Sequence, residues 1–185
     1  MITTISGGLG SGKSTMEAIL GYKAYRGGRN VYSDFKLNFS FKRISFVEIM
    51  KFELSNAVVI LDEGYRYADS HHRSKLTTLF TYFVQQTRKR HVDFITASQR
   101  IMNIDIRIRD LAELRIFCEA LPNSKHPQHL RYTFLEVGTG KITQIAYPMK
   151  ALQKAFSLFN TDEYYDIFEE AKEKDKIRQM IRAIS

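Results

Sequence analysis

The stretch GGLGSGKST, residues 7–15, constrains this chain more than any other. It satisfies the pattern G-x-x-x-x-G-K-[ST] with Gly7, Gly12, Lys13 and Ser14. The residues before it, ITTIS (2–6), alternate with β-branched side chains and read as a strand; those after it read as a helix to about Arg26. A glycine-rich turn between a strand and a helix can wrap an anion with successive backbone N–H groups, which side chains on Cβ would block. The helix points its positive N-terminal end at the same anion. Gly7, Gly8, Leu9, Gly10, Ser11, Gly12, Lys13, Ser14 and Thr15 are therefore expected to cradle the phosphates of ATP. Lys13 would neutralise the β and γ oxygens and Ser14 would hold Mg²⁺.

A second motif extends that expectation from binding to hydrolysis. VVILDE (58–63) is an apolar strand ending in two acids. Asp62 would hold the Mg²⁺ shell through water, and Glu63 would polarise a water for attack on the γ-phosphate.

The remaining pattern predicts one α/β unit. At 185 residues and 44% apolar, the chain can bury one real core and is short for two. Strands are expected at 2–6, 30–35, 57–61, 91–97 and 113–120. Helices alternate with them: one to about Arg26, a short one at 45–52 after a serine cap, an amphipathic one over 75–90, and a short one near 103–111. That alternation argues for a mostly parallel sheet covered on both faces. RYTFLEV and KITQIAY flank GTG and read as a β-hairpin, and from Thr161 a charged helix runs towards the C-terminus. The expected division is a P-loop domain over 1–150 and a helical extension over 151–185, part of the same unit.

Composition narrows the setting. The lone cysteine, Cys118, excludes a disulfide framework, fits a reducing compartment and is expected in the core. No leader pattern opens the chain, and the longest unbroken aliphatic run, AVVIL (57–61), is far below a membrane span, so a soluble cytoplasmic protein is expected. Net charge is +8, and residues 71–115 hold 9 basic and 4 acidic side chains. Such a zone attracts nucleic acid or an acidic partner, or simply solvates the surface. Arg73, Lys75, Arg100, Arg107 and Arg109 are the candidates to meet a DNA backbone. The histidines at 71, 72, 126 and 129 have no partners at ligand spacing, so no metal other than Mg²⁺ is expected.

TRKRHVDFITASQR (87–100) joins a basic helix end to a strand-end glutamine. If its strand lies between the P-loop strand and the Asp62 strand, Gln99 sits beside the γ-phosphate, where an amide can sense phosphate and orient water. Arg88 lies on the flank of the apolar stripe of its helix. Near the nucleotide edge it could act as a finger into a neighbouring subunit's site, or with Lys89 and Arg90 it could satisfy the helix dipole.

The set GGLGSGKS, VVILDE and RKRHVDFITASQR followed by NIDIRIRDLAELRIF resembles the FtsK–HerA superfamily of DNA-pumping ATPases. Within it the sequence is similar to viral genome-packaging ATPases and zonula occludens toxin-like assembly ATPases of filamentous phages. Thr96 and Gln99 match that family's sensor, Arg88 matches its trans-acting arginine, and FSLFNTDEYYD (156–166) resembles its tail motif. The resemblance implies a RecA-like, additional-strand, catalytic-Glu P-loop NTPase forming a hexameric ring with double-stranded DNA in its channel. It also implies an ATPase that translocates DNA in genome packaging or virion assembly, with a capsid, portal or membrane-embedded virion protein as partner. Toxin-like relatives usually carry a membrane segment after the ATPase domain, so its absence from this chain favours packaging over extrusion. Two alternatives remain at this point: a thymidine-kinase-like nucleoside or nucleotide kinase, for which ILDEGYRY and chain length allow, and a nucleotide-regulated assembly subunit.

Overall fold

The computed structural model describes residues 1–45, 48–49, 54–62, 82–121, 128–160 and 179. Glu63, residues 75–81 of the expected 75–90 helix, part of the histidine loop and the expected C-terminal helix from Thr161 lie outside the described residues, Gln179 excepted.

Eight strands form one sheet: β1 (Ile2–Ser6), β2 (Asn30–Ser33), β3 (Lys42–Arg43), β4 (Ala57–Leu61), β5 (Val92–Ser98), β6 (Leu114–Leu121), β7 (His129–Glu136) and β8 (Ile142–Pro148). Their order is β3-β2-β4-β5-β1-β6-β7-β8. The first six are mutually parallel, and β7 and β8 continue the sheet antiparallel. Every residue of β1 and β4 is buried, which is why ITTIS and AVVIL carry no charged side chain.

Each face of the sheet has its own core. On one, Ile2, Val59, Leu61 and Phe94 pack with Val84 of the helical segment 82–87 and with Ile104, Ile108 and Ala112. Ile108 belongs to α2 (Ile106–Leu111), whose first turn is capped by Asp105 through the Arg107 N–H, 2.8 Å. On the other face, Ile5, Val31, Ile60, Ile95 and Ile116 pack under Met16 and Ala18 of α1 (Lys13–Arg26). Leu152 and Phe159 close the same core from beyond the hairpin, on either side of the short helix α3 (Gln153–Phe156).

Two short features bring distant chain together. Ser45 and Glu48 form a reciprocal capping box, the Ser45 N–H donating to Glu48 at 2.8 Å and the Glu48 N–H to the Ser45 hydroxyl at 3.3 Å. Leu37 pairs antiparallel with Phe159, flanked by bonds from the Asn38 N–H to the Leu158 carbonyl (2.8 Å) and from the Asn160 N–H to the Lys36 carbonyl (3.4 Å). The strand pair β2–β3 was not legible in the sequence, because two charged residues, Lys42 and Arg43, make up β3.

Candidate nucleotide site

The site grows from the carboxyl edge of the parallel strands. β1 ends at Ser6, and the chain turns through Gly7–Gly12 into α1. The turn starts pinned: the Gly7 N–H donates to the Ser98 carbonyl at the end of β5, 3.3 Å. It ends with Gly12 at φ 87°, a left-handed conformation that a side chain would strain. A Cβ there would also lie 2.5 Å from Leu130 and 2.6 Å from the Tyr132 hydroxyl, which itself donates to the Gly12 carbonyl at 3.3 Å. The antiparallel strand β7 thus braces the phosphate loop from outside the parallel sheet.

The side chains gather where the sequence places them. Lys13 is buried, with its ammonium folded onto the Gly8 carbonyl at 3.0 Å. The Ser14 hydroxyl donates to the Asp62 carboxylate at 3.1 Å, joining the start of α1 to the end of β4. Ser11 presents a buried hydroxyl with no hydrogen-bond partner, and Leu9 projects 82% exposed from the loop. A serine hydroxyl beside a carboxylate, at the N-terminus of a helix and next to a lysine, is a set of hard oxygen donors suited to Mg²⁺ beside a bound polyphosphate. The residues present fit both groups.

β5 does lie between β4 and β1, so Gln99, exposed and directly after Ser98, stands at the same edge as the phosphate loop. Thr96 is different. It lies in the sheet interior, buried, in register with Thr4 and Leu61. Glu63 immediately follows the site in sequence and is outside the described residues.

Arg88 starts a 3-10 turn, Arg88–Arg90, that precedes β5, so it stands at the amino edge of its own sheet, at the other end of β5 from the phosphate loop. The Asn56 N–H donates to the Arg90 carbonyl there at 3.2 Å, just before β4 begins.

Of the candidate DNA contacts, Arg100 and Arg107 are exposed, and Arg109 is half-buried with a bond to the Met102 sulfur at 3.0 Å. Arg73 and Lys75 lie outside the described residues.

Asp34 is the site residue that sequence reading missed. It follows β2, and one oxygen of its carboxylate accepts the Asp62 N–H at 3.0 Å. Burial first, and the Asp62 charge beside it, push its carboxyl well above the usual carboxylate range, against the Asp62 N–H bond and Arg43, which lower it. A signal existed. NVYSDF carries an acid directly after its strand just as VVILDE does, and β2 is the neighbour of β4. Tyr132 gave no signal, since nothing local in RYTFLEV points to a loop 120 positions earlier.

No family model matches the sequence, and no curated protein does. Solved structures do match. The N-terminal domain of zonular occludens toxin from Neisseria meningitidis superposes with a TM-score of 0.62 at 15% identity, over 86% of this chain and 98% of that one. The genome packaging NTPase of Sulfolobus turreted icosahedral virus 2, in complex with ATP-gammaS, gives 0.55 at 14% identity, over 77% and 95%. The flagellar accessory protein FlaH from Methanocaldococcus jannaschii gives 0.56 at 15% identity, over 80% and 84%. The fold is that of the P-loop ATPases. In it, β5 lies between the phosphate-loop strand and the Asp62 strand, the additional-strand arrangement that the family resemblance implies.

Proposed function

We propose that this chain is a Mg²⁺-dependent ATPase that drives DNA translocation during viral genome packaging or virion assembly, working as a ring, with a hexamer expected. The observation that carries the ATPase part is the gathering of Lys13, Ser14 and Asp62 at one sheet edge, with Gln99 just beyond the end of the strand between. The likeness to a toxin domain and to a genome packaging NTPase supports the choice among P-loop activities, and it favours the ATPase over the kinase alternative.

Each residue then has a defined task. Backbone N–H groups of the loop and the start of α1 bind the phosphates, and Lys13 leaves the Gly8 carbonyl to neutralise β and γ oxygens. Ser14 and Asp62 would hold Mg²⁺, which when bound draws charge from the transferring phosphoryl group. Glu63 polarises the attacking water, and Gln99 orients it. Arg88 serves the site of a neighbouring subunit. The basic side chains Arg100 and Arg107 meet DNA phosphates, a contact without base sequence. Residues 1–150 act as the motor and 151–185 as an extension of the same unit, turning over in the host cytoplasm beside a capsid, portal or membrane-embedded virion protein. Among the described residues no helix is long and apolar enough to cross a membrane.

The test is steady-state ATP hydrolysis with and without double-stranded DNA over a salt series. Turnover is expected to rise with DNA and to lose that stimulation as salt increases. Glu63→Gln is expected to lower kcat at least a hundredfold while ATP binding persists. Undiminished turnover in that variant sinks the assignment of Glu63. A monomer that phosphorylates thymidine, indifferent to DNA, overturns the translocase reading in favour of a kinase.

A further inference from the structure

The Ser14–Asp62 contact does not stand alone. Asp62 is the first residue beyond β4, so it lies outside the strand itself. Its N–H is held by Asp34, 3.0 Å away across the β2–β4 pair. Asp34 is itself fixed from several sides. Its own N–H donates to the Ile60 carbonyl at 3.2 Å, and the next N–H, of Phe35, donates to the Ser33 hydroxyl at 3.2 Å. Three residues on, Leu37 pairs with Phe159, and the Phe35 and Phe159 rings meet edge to face at 6.5 Å. The other Asp34 carboxylate oxygen is buried without a hydrogen-bond partner.

We propose that Asp34 is a positioning residue for the metal half of the site: by accepting the Asp62 N–H it fixes the Asp62 carboxylate against Ser14. This rests on the ATPase reading above and deepens it. An acceptor is what the geometry requires at this position, so an amide oxygen can replace the carboxylate and a methyl group cannot. The role is separate from phosphate binding, because Asp34 bonds to β4 and not to the loop or α1. An acid that merely closed the end of β2 would affect stability and leave metal affinity alone.

The experiment measures Mn²⁺ binding by electron paramagnetic resonance in the ADP complex, and ADP binding by calorimetry in the presence of a chelator. It compares the wild type, Asp34→Ala and Asp34→Asn. Asp34→Ala is expected to weaken Mn²⁺ about tenfold, the worth of one hydrogen bond, with metal-free ADP affinity unchanged. Asp34→Asn is expected to restore Mn²⁺ affinity to within about threefold of the wild type. Retained ADP binding shows that each variant is folded at the phosphate loop. Unchanged Mn²⁺ affinity in Asp34→Ala overturns the proposal. So does an Asp34→Asn variant as weak as Asp34→Ala, because the charge and not the acceptor would then matter, and so does equal loss of ADP and Mn²⁺ affinity. A wild type that binds no ADP removes the ATPase reading instead.

Discussion

Gly7 opens the phosphate motif, yet its neighbours show a second demand on it. A Cβ at Gly7 would lie 2.2 Å from the Cys118 carbonyl and 2.5 Å from the Ser11 hydroxyl. The first is backbone of β6, which is paired on both sides and cannot give way. Gly7→Ala is therefore expected to lower stability by about 2 kcal/mol or more through overpacking, whether or not nucleotide is present. Urea unfolding of the nucleotide-free protein checks this, and a variant of unchanged midpoint refutes it. Cys118 itself is buried, and burial together with the negative charge of Glu17 pushes its thiol up to about 12, against a smaller opposing effect of Lys13. A thiol so placed is core, as its apolar strand indicates. At the opposite edge, burial raises the Asp93 carboxyl, but the amine of Met1 at 2.5 Å and the paired Arg29 guanidinium more than offset that and hold it below the usual range. A carboxyl lowered on folding contributes stability that is complete above its unfolded pKa and is lost as pH falls through the folded one. The stability difference between wild type and Asp93→Asn should stay level above about pH 5 and shrink below it. A difference that grows on acidification contradicts the pairing.

Secondary elements were legible to the extent that their pattern is local. ITTIS, AVVIL and the 91–97 and 113–120 strands appear at their expected places within one or two residues, because buried parallel strands read as short β-branched and aliphatic runs. The hairpin was equally plain from GTG between two alternating segments. What the sequence left out was adjacency. Nothing in RYTFLEV says that β7 pairs with β6, or that Tyr132 then reaches the Gly12 carbonyl. Asp34 was hidden for the same reason: its partner is 28 positions away on a strand whose neighbour only the sheet order reveals. The motif residues were recognisable because their chemistry and their spacing lie within one turn. The residues that brace them come from other strands.

At the scale of the whole molecule, the sheet separates two ends. Gln99 and the phosphate loop share the carboxyl edge, while the Arg88–Arg90 turn stands at the amino edge, a full β5 away. Seven strand residues from Val92 to Ser98 span roughly 20 Å or more, beyond the reach of an arginine side chain. So Arg88 has no route to its own Lys13, and the stretch from Thr87 to Arg100 can serve catalysis at both ends only in a head-to-tail assembly. There the amino edge of one subunit faces the nucleotide of the next. The prediction is specific. Arg88→Ala and Lys13→Ala should each lose ATP turnover alone. Mixed in equal amounts, they should regain about a quarter of it, from interfaces where the Arg88→Ala subunit supplies an intact Lys13 and its Lys13→Ala neighbour supplies the arginine. Turnover measured as the two variants are titrated together reads this directly. Arg88→Ala with full turnover by itself would leave Arg88 to its simpler role at the helix end, complementing the dipole. Two inactive variants that never rescue each other would place the essential contact of Arg88 within its own subunit, contrary to the topology of the sheet.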